Sequence, residues 1–266
     1  ELVFGPLDDV LSGVGKYMIV APPALAKFGY NTLPEQKDGL RYLADKRKVT
    51  VVTSLDASWS ANQVYGDYDL DLFAVGRSTQ EKSWLDSATD ANTSSLLVNQ
   101  DFSPEIGLAK VHFSDNSKVV LREEATVEAF MKNAPKSRYV YLSEVPASPD
   151  GGFQMTDGAI SLEDIANLQM QAMIVFIAPS KDPLHQIARV EAFMQAGAKS
   201  VIVQMWPVPS GDLRSIIEDL FMNLKRNDPL MEAMSKTRSK YIKNESKSDY
   251  TNNAARWGAF TIYGRP

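Results

Sequence analysis

Few residues in this chain are equipped for chemistry. At 174–183 it reads IVFIAPSKDP, an apolar run that stops at Ala178-Pro179 and passes into Ser180, Lys181 and Asp182. Serine beside lysine is the raw material of a hydroxyl nucleophile, provided that a base lies within hydrogen-bond reach. Candidates for that base are Glu144 and His185, the latter one of only two histidines; the other, His112, lies in EIGLAKVHF, which reads as an amphipathic helix. There is no cysteine, which excludes a thiolate nucleophile, a thiolate zinc site and a disulfide within these residues. Neither histidine has a second histidine or a carboxylate pair at ligand spacing, so no metal and no cofactor are expected.

Each of these residues also has a plainer reading. Ser180-Lys181 suits a solvated turn, His185 the partly exposed start of a helix, and His112 a structural or exposed position. Glu144, Asp150 and Asp182 fall near strand ends, where open α/β sheets bind ligands. They suit contact with a basic partner, and equally the ordinary polarity of loops.

The elements that must position these residues alternate between short β-rich runs and longer amphipathic ones, the pattern of a mostly parallel sheet covered by helices on both faces. Strands are predicted at Tyr17–Val20, Val49–Thr53, Asp71–Val75, Lys118–Leu121, Tyr139–Leu142, Met173–Ile177, Ser200–Gln204 and Ala259–Tyr263. Glu124-Ala125-Thr126 opens a helix over Val127–Asn133, and Ser161-Leu162-Glu163-Asp164 puts acids in a first turn, where they complement the helix dipole. The run Leu184–Ala196 ends at Gly197, a C-cap residue. Asp212–Leu224 and Pro229–Ile242 read as two further sheet-covering helices. Residues 80–103 are polar and without period, a surface insertion or long loop, and 147–158 carries hairpin turn chemistry around a short Phe153–Thr156 strand. The charged stretch Lys236–Lys247 reads as a solvated helical face followed by a linker.

At 266 residues and 44% hydrophobic the chain is able to bury a full core. Its 28 basic residues are dispersed among 33 acidic ones, for a net charge of −5 and a pI near 5.2. Such a surface offers no stripe to a phosphate backbone, so nucleic acid is not an expected partner. No apolar run approaches the roughly 18 to 20 residues that cross a bilayer, so no membrane partner is expected either. The start at Glu1 rather than Met suggests a fragment of something longer or a processed form, with the cytoplasm as the default location.

Several stretches, taken in order, resemble one family. AGAKSVIVQMWPV (Ala196–Val208) is similar to a signature in which an Ala-Gly-Ala turn leads into an apolar strand with a Leu-Trp-Pro-Val-like ending. WGAFTIYG (Trp257–Gly264) resembles that family's closing strand, and KYMIVAPPALAKFGYNTL (Lys16–Leu33), after a predicted helix at Gly5-Pro6-Leu7, its opening strand and proline-rich turn. Residues Glu124–Ala134 resemble the helix before its histidine strand. The family is the CHAT domain, a caspase-like module that follows tetratricopeptide repeats and is related to separase, caspases and metacaspases. The resemblance implies one caspase-like α/β three-layer sandwich over 1–266, with an insertion around 80–103.

In active members of that family one strand ends in His-Leu-Ala-Thr-His-Gly, whose second His is the general base, and the next in Leu-Ser-Ala-Cys-Glu-Thr, whose Cys is the nucleophile. The matching stretches here are Tyr141-Leu142-Ser143-Glu144-Val145-Pro146 and Phe176-Ile177-Ala178-Pro179-Ser180-Lys181. The resemblance therefore puts Val145 at the base and Pro179 at the nucleophile, and neither side chain has a titratable atom. It implies a catalytically inactive pseudoprotease whose residual cleft, lined by Ser143, Glu144, Ser180, Lys181, Asp182 and Trp206, binds a protein or peptide, with the chain's own upstream repeats among the partners. Trp206 is read as part of the scaffold at a strand end. The alternative is an active hydrolase with a site relocated to Ser180, served by His185 or Glu144.

Overall fold

The computed structural model describes residues 13–33, 42–53, 66, 68–76, 106, 110–113, 116–143, 145–179, 183–245 and 250–264. The predicted helix at Gly5-Pro6-Leu7 and the polar stretch 80–103 lie outside them. Ten strands run in chain order: β1 (Lys16–Val20), β2 (Lys48–Val52), β3 (Leu70–Val75), β4 (Ser117–Val120), β5 (Ser137–Leu142), β6 (Phe153–Gln154), β7 (Ala159–Ile160), β8 (Ile174–Ile177), β9 (Ser200–Gln204) and β10 (Phe260–Gly264). Eight of them form one sheet in the order β1-β2-β10-β9-β8-β5-β3-β4, while β6 and β7 make a separate hairpin. All eight strands predicted from the sequence are present, each within two residues of its expected bounds.

Within the sheet every neighbouring pair is parallel except β9 and β10. Five strands (β9, β8, β5, β3, β4) therefore point one way and three (β1, β2, β10) the other. The central strands are apolar throughout because both of their faces are covered: β8 is IVFI with every residue buried. On one face the odd-even alternation presents Val140, Leu142, Val175, Ile177, Val201 and Val203 to one core cluster. On the other, Tyr139, Tyr141, Ile174, Phe176 and Ile202 join a second.

Helices fill both layers. The short α1 (Pro23–Ala26) and α2 (Leu43–Lys46) lie between β1 and β2 in the chain; α3 (Val127–Asn133), α4 (Leu162–Ala166) and α5 (Pro183–Ala196) belong to the first face; α6 (Ser210–Lys225) and α7 (Leu230–Glu245) cover the second, followed by α8 (Tyr250–Trp257). Their ends follow the local sequence. Thr126 caps α3 by accepting the Ala129 N–H at 3.1 Å, and Ser161 and Asp164 form a reciprocal capping box on α4. Gly197 has φ +111°. It accompanies Ala198 N–H to the Phe193 carbonyl and Gly197 N–H to the Met194 carbonyl, a Schellman ending that turns the chain into β9. The consequence for function is positional: α5 begins, and β9 ends, at the carboxyl edge of the five-strand block.

Candidate functional site

The carboxyl ends of β5 and β8 lie side by side. Leu142 is paired with Ile177, the ladder continues through Ala178 N–H to the Leu142 carbonyl at 3.0 Å, and Ser143 N–H donates to the Val75 carbonyl of β3 at 2.9 Å. Val145 stands three residues past the end of β5 and Pro179 two past the end of β8. Val145 is buried in the same core cluster as Leu142 and Ile177. Continuing the alternation of β8 puts Pro179 on the Ile177 side of the sheet and Ala178 on the other. The two positions thus occupy neighbouring strand ends on one face. Ser143 is buried beside them. Glu144, Ser180, Lys181 and Asp182 lie outside the described residues.

The neighbouring strand end is held by amides. Gln186, in the first turn of α5 and buried, reaches between β8 and β9 and donates Nε2 to the Gln204 carbonyl at 2.7 Å and the Ala178 carbonyl at 3.4 Å. Gln204 in turn donates its side-chain N–H to the Trp206 carbonyl at 3.1 Å. The Trp206 indole N–H donates to the Ala255 carbonyl in α8, and its ring lies so close to Gly29 that a Cβ there would sit 3.1 Å from it. That geometry is a strut between β9, α8 and the segment after α1, with the ring half-buried. On the opposite face, Tyr141, Phe176, Ala178, Gln204, Ile217 and Phe260 line a crevice of about 10 Å³, the size of a single water.

The third wall is the segment that follows Val145. Its turn at Gly151 (φ +91°) leads into the β6–β7 hairpin, and the buried guanidinium of Arg189 in α5 grips it. Nε donates to the Gly151 carbonyl at 2.7 Å and Nη2 to the Gly152 carbonyl at 2.8 Å. The guanidinium carbon stands 4.3 Å from the centroid of the Phe153 ring. Burial pulls the Arg189 pKa down to about 10, with the charge of Asp150 opposing, so it remains a cation at neutral pH. His185, half-buried one turn earlier on α5, packs against Gly151, where an added Cβ would stand 2.9 Å from its ring. The helix after Pro179 and the loop after Val145 are thereby locked to each other.

Asp150 ties the same loop to α4. It accepts from the Ser148 hydroxyl at 2.5 Å, from Gly152 N–H at 3.3 Å and from Leu162 N–H at 3.0 Å. The Ser148 hydroxyl foremost, with the Leu162 and Gly152 amides, outweighs slight desolvation and holds its carboxyl below the usual carboxylate range. A carboxylate whose pKa is depressed by folding stabilises the fold above its unfolded value and loses that contribution as pH falls through the folded one. The stability difference between the native protein and Asp150→Asn is therefore expected to stay constant down to about pH 5 and to shrink below about pH 4. Thermal melts of both proteins across that range would show it, and a difference independent of pH would refute the role.

His112 lies apart from these walls. It is half-buried against the C-terminal half of α6, its Nε2 buried without a hydrogen-bond partner. Burial lowers its pKa, Glu218 and Lys225 acting in opposite directions. Among the described residues no three His, Asp or Glu side chains gather closely enough to hold a metal ion, and no helix is long and apolar enough to cross a membrane. Gln186 and Arg189 are absent from the set predicted from sequence. Their signal is a polar and a charged residue at positions 186 and 189 of the buried stripe that continues through Val190 and Phe193.

The model for the CHAT domain matches residues 1–265. Among solved structures, the separase of a Saccharomyces cerevisiae separase–securin complex superposes with a TM-score of 0.60 at 14% identity, over 94% of this chain and 15% of that one. A second structure of that complex gives 0.57 at 16% identity, over 94% and 16%. The Arg-specific cysteine proteinase gingipain R gives 0.56 at 12% identity, over 97% and 66%. The chain thus spans about 15% of the separase it matches, and at these identities the likeness is one of fold, the caspase-like sandwich. No curated protein matches the chain.

Proposed function

Because the chain belongs to the CHAT domain family, a relative of the clan CD peptidases, we propose that it is a catalytically inactive member, a pseudoprotease that serves as a protein-interaction or regulatory module. One observation carries this reading: the neighbouring ends of β5 and β8, where active relatives place base and nucleophile, hold Val145 and Pro179. Covalent hydrolysis by the family route needs a deprotonatable nucleophile and a base that takes its proton. Valine and proline offer neither, and no pKa shift creates one. Proline also lacks the backbone N–H that would contribute to an oxyanion site at its own position.

A fold kept after its chemistry is lost retains its walls, and the walls here are well fastened by Arg189, Gln186 and Asp150. The partner this reading favours is a protein or peptide. The related separase was solved in complex with the protein securin, which supports protein binding as a use of the fold.

The competing reading is a hydrolase relocated to Ser180 with His185 or Glu144 as base. Fluorophosphonate labelling of the native chain, read by intact mass, separates the two. The proposal predicts no adduct. Stoichiometric modification at Ser180, abolished by Ser180→Ala, would establish the relocated hydrolase instead.

A further inference from the structure

Among the described residues, β1 is the last strand at its end of the sheet. Gly15 accepts from Lys48 N–H and Ala21 donates to the Val52 carbonyl, so the odd-numbered residues of this strand turn their backbone groups towards β2. The N–H and C=O groups of Lys16, Met18 and Val20 consequently point outward, where the sheet order has no further strand among the described residues. Native edges are commonly blunted by proline, a bulge or inward charge; β1 (KYMIV) carries only a lysine at its start. The same even-numbered stripe is apolar and open, with Val14 39%, Met18 44% and Val20 48% exposed. At the other end of the sheet, by contrast, β4 holds the exposed Lys118 within its four residues.

We propose that β1 pairs antiparallel with β1 of a second copy of this chain, about a twofold axis through Met18. The strand is its own complement in that register. Met18 faces Met18 of the other copy as a hydrogen-bonded pair, and Lys16 faces Val20 on either side. The outward groups at 16, 18 and 20 then all find partners, since hydrogen-bonded pairs recur at every second residue. No like charges stand opposite each other, the lysine stem lies along valine, and the apolar stripe is shared between copies. A strand from another protein has no comparable reason to match the spacing of one lysine and two apolar residues about a central methionine. The inference rests on β1 alone and holds whatever occurs at the ends of β5 and β8.

The absence of cysteine makes the test clean, because every disulfide formed must join introduced thiols. Paired Cα atoms in such a register lie about 5.5 Å apart, within disulfide reach. Under mild oxidation Met18→Cys is expected to yield covalent dimers, while Val20→Cys, whose mate is Lys16, and Val111→Cys, more exposed and elsewhere, stay monomeric. Met18→Lys places two lysines face to face at an exposed position. It is expected to raise the dimer dissociation constant in sedimentation equilibrium by about tenfold or more, with a melting curve unchanged at concentrations low enough for both proteins to be monomers. A native chain that sediments as a monomer up to about 200 μM, far above the micromolar range of ordinary weak complexes, would overturn the proposal. So would a dimer indifferent to Met18→Lys, or equal cross-linking at Met18 and Val20.

Discussion

In the double variant Val145→His with Pro179→Cys, alkylation of the introduced thiol is expected to titrate with a midpoint near pH 6, against about 8.5 for Pro179→Cys alone. The reason is geometric. The Leu142–Ile177 pairing and the Ala178 N–H to Leu142 carbonyl bond bring the two strand ends together; burial in the core cluster of Leu142 and Ile177 sets Val145 on one face, and the alternation of β8 sets Pro179 on the same one. An imidazole there shares a proton with the thiol and holds it as thiolate. The lower-pKa thiolate is intrinsically less nucleophilic, so the net gain at pH 6 is about tenfold rather than the full change in ionised fraction. Iodoacetamide kinetics from pH 5 to 9 would measure it. Identical profiles for the two variants would mean that the positions do not face each other, and the argument for lost catalysis would go with them.

Arg189→Met is expected to cost about 3–5 kcal/mol of folding stability, a large share of what a domain possesses. Methionine keeps contact with Phe153 but leaves the Gly151 and Gly152 carbonyls, both buried, without their charged donor. Arg189→Lys does not restore them, because one ammonium cannot reproduce the fork that meets two successive carbonyls. Urea unfolding gives the magnitude. Hydrogen exchange locates it, since protection should fall first at Phe153–Gln154 and Ala159–Ile160. A loss under about 1 kcal/mol, the size of one ordinary hydrogen bond, would show that the grip is dispensable.

Both expectations depend on features unequally legible in the sequence. Strands such as IVFI at 174–177 and SVIVQ at 200–204 announce themselves as continuous apolar runs, and the helix ends at Thr126, Ser161 and Gly197 follow from capping chemistry. The sheet order does not, because apolar composition says that a strand is buried and nothing about which neighbours it has. The place of β10 between β2 and β9 is a long-range fact. At the site, Val145 and Pro179 were identifiable through family resemblance, while their shared face needed the register of β5 against β8. Gly151-Gly152 was legible as a turn, but not as the acceptor pair of an arginine from another helix. Arg189 hides for the same reason: helical spacing marks it as inward-facing, and only the fold supplies what it meets.

The placement of β10 has a consequence for how the molecule comes to exist. As the ribosome releases the chain, β3, β4, β5, β8 and β9 emerge in an order that lets each dock beside strands already made. The β1–β2 pair, though first out, has no place on that sheet until β10 arrives to stand between them and β9. Between the release of β9 and that of β10 the nascent chain therefore holds two unfinished half-sheets with raw edges, one at β2 and one at β9. Joining them is an act of the chain's last described strand, and it is during that wait that a holding chaperone would have most to cover.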